Sequence, residues 1–565
     1  MPYSIPTMLR RARTLLIGSG YRTALNDMIR RRSQLAKLVP LLVILLWQPG
    51  SASGQSHRIV PLDHWAYEYI QRLQRRGHLL DLHPTALPYR EGEIRAAVEG
   101  LRRRRLSSLE REWASALRRE FVDVEAAPRR RVRKRAPKRA TAIGGGELEA
   151  GLRASNSDRL DALRYLDGDD ATLTAGDLNL HPNAAGRLFL EYGPAIAQIG
   201  LAFDTYYRDD PDGLDAANRL IVRNEHSYLG IDTRYASLYL GRIRHHWAPS
   251  DDDALLLSSN AVDFDQLHLR LGGKRLSVRS VLGELDAMTA DGRYTGTAGA
   301  DSIDASIRRF VSAHRFDWRP GRRVAISIME STLYSSSTSG LSLKFLNPLN
   351  LHAFAVDGRP KNDENNGLLA GMIWFQAHRL TVQGQLLLDD VDLLGQTGEP
   401  LSAAISGSLI YAGWPSLDIG GRLAAVTARA YNTHQPEGRY IHLLRGLATQ
   451  FSDYVTISGF ATHYRRIQRL DAALTPRLDV LWQGERDIRD PYPHRDENVD
   501  VILTGQTERL IRPAVELRLQ TGRHWWMNLD AGVLFSDVGD QAARFTFLAS
   551  LRARIGVAER VGLAL

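Results

Sequence analysis

The chain has 565 residues, no cysteine and an apolar fraction of 44%, which excludes a disordered chain, a collagen, a disulfide scaffold and a cysteine-ligated metal centre. Its 73 lysines and arginines against 64 aspartates and glutamates give a formal charge of +9, and that charge is unevenly placed. Residues 1–54 carry +7, residues 55–139 carry +10 and residues 140–565 carry −8, so the chain is three electrostatic pieces rather than one basic nucleic-acid binder.

Residues 1–54 have the form of a cleaved export signal. Arg30–Arg32 and Lys37 precede the apolar run Leu38–Trp47, and Ser51, Ala52, Ser53 and Gly54 supply the small residues of a cleavage site. Met28 is an alternative start. The competing reading, a membrane anchor, is the weaker one, because about 10 apolar residues are half of what a spanning helix requires. The rest of the chain has no long uncharged apolar run, so if it crosses a bilayer it must do so as a closed barrel.

Residues 55–127 have helical period. Trp65, Tyr69, Ile70 and Leu73 share one face and Gly77 marks a stop; Ile94, Ala97, Val98 and Leu101 follow Pro88-Tyr89-Arg90; a third helix is expected over Leu106–Phe121. These make a small helical bundle, placed in the periplasm. Residues 128–146 form a basic linker whose Pro128–Arg139 run repels itself; it suits contact with anionic lipid or lipopolysaccharide, and equally a solvated connection. Zinc spacings and RNA-binding aromatic signatures are absent, so nucleic acid is not an expected partner.

From residue 147 to 565 the period becomes two. Leu148, Ala150 and Leu152 alternate with Glu147, Glu149 and Arg153; Ile199, Leu201 and Phe203 alternate with Gly200, Ala202 and Asp204; Leu380, Val382, Leu386 and Leu388 alternate with Thr381, Gln383 and Gln385; Phe545, Phe547 and Leu551 alternate with Thr546 and Arg552. Segments of about ten residues with one apolar and one polar face are what a lipid-facing barrel strand requires. Tyr206, Tyr207, Tyr235, Tyr239, Trp374 and Trp526 are candidates for interfacial girdles. The expected fold is therefore mainly β, a large antiparallel transmembrane barrel of about 18 strands preceded by the helical bundle. The final residue, Leu565, is apolar but not aromatic.

Candidate chemistry is sparse. Asp389-Asp390 and His245-His246 are neighbours that a strand would point to opposite faces. Asp251-Asp252-Asp253 could contribute carboxylates to a hard-cation site or be a solvated acidic turn, and Asp209-Asp210-Pro211-Asp212-Gly213 lacks the ligand spacing of a calcium loop. No phosphate loop, zinc-protease motif or nucleophile elbow is present, and no serine stands out with a positioned histidine, so no enzymatic role and no cofactor or metal are expected. Polar residues beside aromatic rings recur instead: Arg242 with Trp247, Asn260 with Asp265, Glu330 with Tyr334, Asn347 with Asn350, Asn366, and Gln385 with Asp389 and Asp390. Amides, carboxylates and rings suit sugar hydroxyls and C–H faces; the plainer reading is that these side chains brace the barrel interior.

At these residues the chain resembles the capsule assembly Wzi family. The resemblance is carried by Gly241-Arg242 through Trp247-Ala248-Pro249 with Leu255–Ala261 and Phe264, by His314-Arg315-Phe316 with Glu330-Ser331 and Tyr334, and by Phe345–Leu349, Asn366-Gly367 and Gln385–Asp390. It implies an 18-stranded outer-membrane barrel with a periplasmic helical segment, acting as a non-enzymatic lectin that attaches capsular or extracellular polysaccharide to the cell. Expected partners are that polysaccharide, outer-membrane lipid or lipopolysaccharide, and the barrel-insertion machinery. The alternative is a porin or transporter channel for small solutes or sugars.

Overall fold

A computed structural model describes residues 56–123, 141–157, 178–210, 213, 222–289, 292–294, 306–336, 345, 347, 365–389, 401–489, 500–522, 524–538 and 543–564. The expected leader, the Pro128–Arg139 run, Asn350 and Asp390 lie outside the described residues.

Three helices come first among the described residues: α1 (Ala66–Arg75), α2 (Glu91–Glu99) and α3 (Ser108–Arg118). Each forms where local chemistry starts or stops it. Gly77, at φ +82, takes the left-handed backbone that follows α1. At α3, Ser107 Oγ accepts from the Glu110 N–H at 3.3 Å, while Glu110 Oε2 accepts from the Ser107 N–H at 2.7 Å, a reciprocal cap for the first turn. Trp65, Tyr69, Ile70, Leu73, Ile94, Trp113 and Leu117 form the buried core between them, which is shared with Tyr464 and Ala473 of the barrel wall.

The wall is a closed antiparallel barrel of 18 strands. In chain order these are β1 (Thr141–Ser155), β2 (Asn179–Tyr192), β3 (Ala195–Asp204), β4 in two pieces (Val222–Asn224 and Tyr228–Asp232), β5 (Ala236–Arg242), β6 (Asp265–Gly272), β7 (Leu276–Met288), β8 (Ile307–Gly321), β9 (Val324–Ser336), β10 (Asn365–Ala377), β11 (Leu380–Asp389), β12 (Ser402–Trp414), β13 (Leu417–Val426), β14 (Tyr454–Ile467), β15 (Leu470–Gln483), β16 (Glu508–Gln520), β17 (Trp525–Val538) and β18 (Arg544–Ala564). Both pieces of β4 pair with β3. Each strand pairs with its sequence neighbours, and β1 closes the ring against β18, from Thr141 opposite Ala564 to Ser155 opposite Ser550. Because β1 starts at Thr141, six residues before the boundary read from the sequence, Gly144–Gly146 lie inside a strand.

Alternate strand ends are joined by short turns at one end of the barrel and by longer segments at the other. The β10–β11 turn shows how tight the short end is: His378 and Arg379 both take positive φ, 47° and 70°, the backbone twist that matches paired strands. The outward positions are the apolar ones. Leu148, Leu188, Ile199, Leu240, Leu409, Ile555 and Val557 are all exposed, whereas Glu147, Arg187, Gln383, Gln385 and Arg512 point inward. An apolar outside and a polar inside is the reverse of a soluble sandwich and matches a wall bathed in lipid.

The aromatic girdle differs from the sequence expectation. Tyr206, Tyr239 and Trp374 are buried and Trp526 faces the lumen, because one position of strand parity decides the face. Of the six candidates Tyr235 is the large exposed ring. It joins Tyr192, Trp318, Phe375, Tyr411 and Trp414, all exposed and all near the short-turn end, where interfacial aromatics belong.

Candidate functional site in the barrel lumen

The helices sit in the short-turn end of the barrel and are held by ion pairs from strands all around the ring. Arg76 Nη2 donates to Asp418 Oδ1 at 2.6 Å, and both side chains are fully buried. Arg554 donates to Asp63 at 2.7 Å, Arg518 to Glu68 at 2.9 Å and Arg560 to Glu91 at 2.8 Å. Arg315 donates to the Thr85 carbonyl at 2.7 Å and Arg319 to the Leu80 carbonyl at 2.6 Å. Burial pushes the His83 imidazole down to about 4, although Asp317 stands 3.3 Å away.

From the opposite end, two inter-strand segments fold into the lumen: residues 243–264 between β5 and β6, and residues 427–453 between β13 and β14. Trp247, Leu255, Leu256, Tyr431, Tyr440 and Leu447 pack with inward residues Val281, Met329, Met372 and Leu387 as one dry cluster. The first segment reaches the helices, since Leu87 and His246 exchange both backbone hydrogen bonds at 3.1 and 3.2 Å. Sequence reading missed this insertion. Its signal is Ala254–Leu257, an apolar run that does not alternate and lies between strands.

Five of the ten described residues singled out from the sequence brace this plug. Asn260 Nδ2 donates to the Gly446 carbonyl at 2.9 Å and to Gln450 Oε1 at 2.7 Å, joining the two inserted segments. Gln385 Oε1 accepts from the Leu255 N–H at 3.2 Å, and its Nε2 donates to the Asp253 carbonyl at 2.6 Å. Asn366 Nδ2 donates to the Gly438 carbonyl at 3.1 Å, and Asp389 accepts from the Tyr431 N–H at 2.6 Å. Trp247 is buried 5.9 Å from the Arg315 guanidinium.

Others lie on the outer wall, so the set is not one constellation. Arg242 Nη2 donates to Asp265 Oδ2 at 3.0 Å at the exposed rim. Glu330 Oε1 stands 2.9 Å from His314 Nδ1, and the Tyr334 ring stacks on Phe345 at 4.2 Å. Asn347 is exposed in the segment after β9. Two of the three neighbouring aspartates are taken up by arginines: Asp251 pairs with Arg75 and Arg422, and Asp252 accepts from Arg422 at 2.9 Å and Ser408 at 2.6 Å. Outweighing the desolvation of the site, Arg75 and Arg422 hold the Asp251 carboxyl well below the usual carboxylate range.

Beside the dry plug is a chamber of about 690 Å³. Its floor is Asp63, Glu68, Arg72 and Arg75 of the helical segment, and its wall runs along β1 from Glu147 to Arg153 and across β14–β18. Arg477, Glu516, Arg518, Asn528, Arg552 and Arg554 line it together with Phe460, Tyr464 and Trp526. Four guanidiniums, a carboxylate and an amide stand among these, with Arg518 Nε donating to Glu516 at 2.8 Å, so the chamber offers donors and acceptors next to ring faces. Such a surface can hold hydroxyl-rich molecules.

No family model and no curated protein matches the chain. Among solved structures it is similar to Wzi of Escherichia coli, described as an outer membrane protein involved in group 1 capsule assembly and a carbohydrate-binding β-barrel, with 10% identity over 90% of this chain and 100% of that one and a TM-score of 0.56. It is also similar to OccAB1 of Acinetobacter baumannii, with 10% identity, 74% and 97% coverage and a TM-score of 0.42, and to OpdQ of Pseudomonas aeruginosa, with 9% identity, 75% and 98% coverage and a TM-score of 0.39. At these identities the Wzi likeness carries the fold: the chain is built as a Gram-negative outer-membrane barrel is built.

Proposed function

We propose that this protein is exported with cleavage of its leader, inserts in an outer membrane through the barrel-insertion machinery, and holds capsular or extracellular polysaccharide at the cell surface. The observation that carries the reading is the plug that fills one half of the lumen among the described residues. A diffusion channel needs an open path, and here the helices and the 243–264 segment meet backbone to backbone at Leu87 and His246. Binding the polymer requires no catalytic step, and the chamber's guanidiniums, carboxylates, amides and rings suit a sugar. The fold shared with a barrel described as carbohydrate-binding points the same way. The basic 128–139 run would lie at the inner face of that membrane, against anionic lipid or lipopolysaccharide.

The test is deletion of the gene in its encapsulated host. Polymer should pass into the medium while its synthesis continues, and purified protein should retain that polymer on a column. Unchanged surface polymer after deletion would sink the reading. The second reading, a channel, is favoured by the chamber that climbs β1 to Arg153; it requires steady single-channel conductance of the full-length protein in planar bilayers.

A further inference from the structure

Like charges set directly opposite each other on paired strands repel, and a charge taken out of water needs a partner of the other sign. The wall breaks both rules at one level. In register, Arg270 of β6 lies opposite Arg279 of β7, and Arg279 lies opposite Arg315 of β8. Arg315 donates to the Thr85 carbonyl of the helical segment, so all three guanidiniums stand in a row on the lumenal face. Arg279 is 7% exposed and Arg315 is fully buried. A fourth arginine joins them, because Glu93 of α2 is shared by Arg90 at 2.6 Å and Arg270 at 2.9 Å.

The carboxylates linked to this row are one too few, and each is already engaged. Asp317 accepts from Arg315 Nε at 2.7 Å and Ser327 Oγ at 2.8 Å, and stands 3.3 Å from His83. Glu93 is taken by Arg90 and Arg270, and Asp232 by Arg90 and His57. Four arginines thus meet three carboxylates, and the surplus falls on Arg279. Its nearest carboxylate oxygen, Asp317 Oδ2, is 3.6 Å from Nε, and Nε has no hydrogen-bond partner among the described residues. Arg270 Nε and His268 Nδ1 are orphaned in the same way. His268 lies two residues before Arg270 on the same face of β6, is 7% exposed, and meets the His245 ring edge-on at 4.8 Å.

We propose that this cluster is an anion site whose ligand is a small inorganic anion of single charge, a halide or an ion of similar size, held by Arg279 and Arg270 with His268 beside them. Buried donors are paired as a rule, and orphans gathered at one place mark a missing water or ion. Water would accept from the orphans but leave the charge; an anion answers both needs, through charge-assisted hydrogen bonds. Single charge follows from the surplus of one. Small size follows from the spacing of opposite residues on paired strands, about 5 Å between Cβ atoms. The ion lies where wall meets floor, next to α2 through Glu93 and next to Thr85 through Arg315, so it makes the seating of the helices depend on anions. It is enclosed as the helices settle on the strands, and no path into the folded lumen is required.

The test refolds full-length protein from urea into detergent micelles in sodium gluconate, chloride or bromide at one ionic strength, which holds screening constant, and reads the urea midpoint of the heat-modifiable band. The midpoint should rise with halide concentration and level off, as binding to the folded state requires. Arg279→Gln removes the surplus charge, so its midpoint should be the same in all three salts and no lower than the parent's in gluconate. Arg308→Gln, which removes an exposed arginine of the outer wall, should keep the parent's halide response. Crystals grown in bromide should show anomalous scattering from an ion beside Arg279, a readout that stands even where Arg279→Gln fails to fold. An equal halide response in parent and Arg279→Gln overturns the proposal, as does scattering with no shift of the parent's midpoint, which marks an adventitious ion only. A saturating response to inorganic phosphate with none to halides overturns the assignment to a singly charged ion. The cluster lies apart from the chamber, so its failure leaves the polysaccharide reading standing, and the reverse.

Discussion

The two halves of the lumen are built on opposite rules although one alternating wall encloses both. Strands β7–β12 turn Val281, Leu285, Ala313, Met329, Leu333, Ala370, Met372, Leu387 and Ala404 inward and bury them under the inserted segments. Strands β15–β18 turn Arg477, Asp479, Glu516, Arg518, Asn528 and Arg554 inward and leave about 690 Å³ open. The lesson is that "polar inside" holds for a barrel only where water stays inside. Where a loop returns to fill the lumen, the inward positions become those of an ordinary dry core with a few amides to receive the loop's backbone. Both halves rest on the same helical floor.

The contrast can be broken most strongly at that floor. Asp418→Ala leaves Arg76 buried without its carboxylate, so a loss of about 3–5 kcal/mol is expected, read as the urea midpoint of the heat-modifiable band, with the helices becoming open to protease. A midpoint unchanged from the parent would show that the floor contributes nothing to either half. In the dry half, Leu255→Ala should cost about 2–5 kcal/mol through lost burial and a cavity, measured in the same titration. Acidification comes next. His83 is held neutral with its affinity for protons depressed to about 4, so its contribution is fully present above about 6.5 and is lost as pH falls from there toward 4, at about 1.4 kcal/mol per unit. Burial sets the size of the effect; Asp317 opposes it, and Arg315 and Arg279 add to it. Hydrogen exchange of the helices should quicken over that window in the parent and less in His83→Gln; identical profiles count against it. The smallest effect belongs to the chamber. Arg518→Gln, with a third of its side chain exposed, should cost about 1 kcal/mol or less, shrinking further in high salt. A loss equal to that of Leu255→Ala would erase the difference between the halves.

Much of the wall is legible in the sequence, because period two with apolar residues on one side is a local property. Leu148 to Leu152 and Leu380 to Leu388 read as lipid-facing strands and are so placed, and 18 strands is what the length accommodates. What stays hidden is what depends on partners far along the chain. The alternation puts Ser312 and His314 on one face, but the sequence does not say that β9 pairs in the register that sets Glu330 against His314. Gln385, Asn366 and Asp389 are visible as polar residues on strands, yet their partners Leu255, Gly438 and Tyr431 come from segments whose return into the lumen no local rule requires. The girdle aromatics fail for a smaller reason: Trp374 differs from Phe375 by one residue, and one residue is the whole distance between lumen and lipid.

The ion pairs that seat the helices also fix an order of events. Glu91 is bound by Arg560, 469 residues later, and Glu68 by Arg518, 450 residues later, while β1 finds its second neighbour only in β18. Contacts this remote form late, because the intervening chain must be ordered before they can close. The helices are made ahead of every strand, but their seat does not exist until the final strand has joined the first. The first-made part of the described chain is thus the last to settle, and a barrel cut short near its C-terminus would lose its stopper as well as its seam.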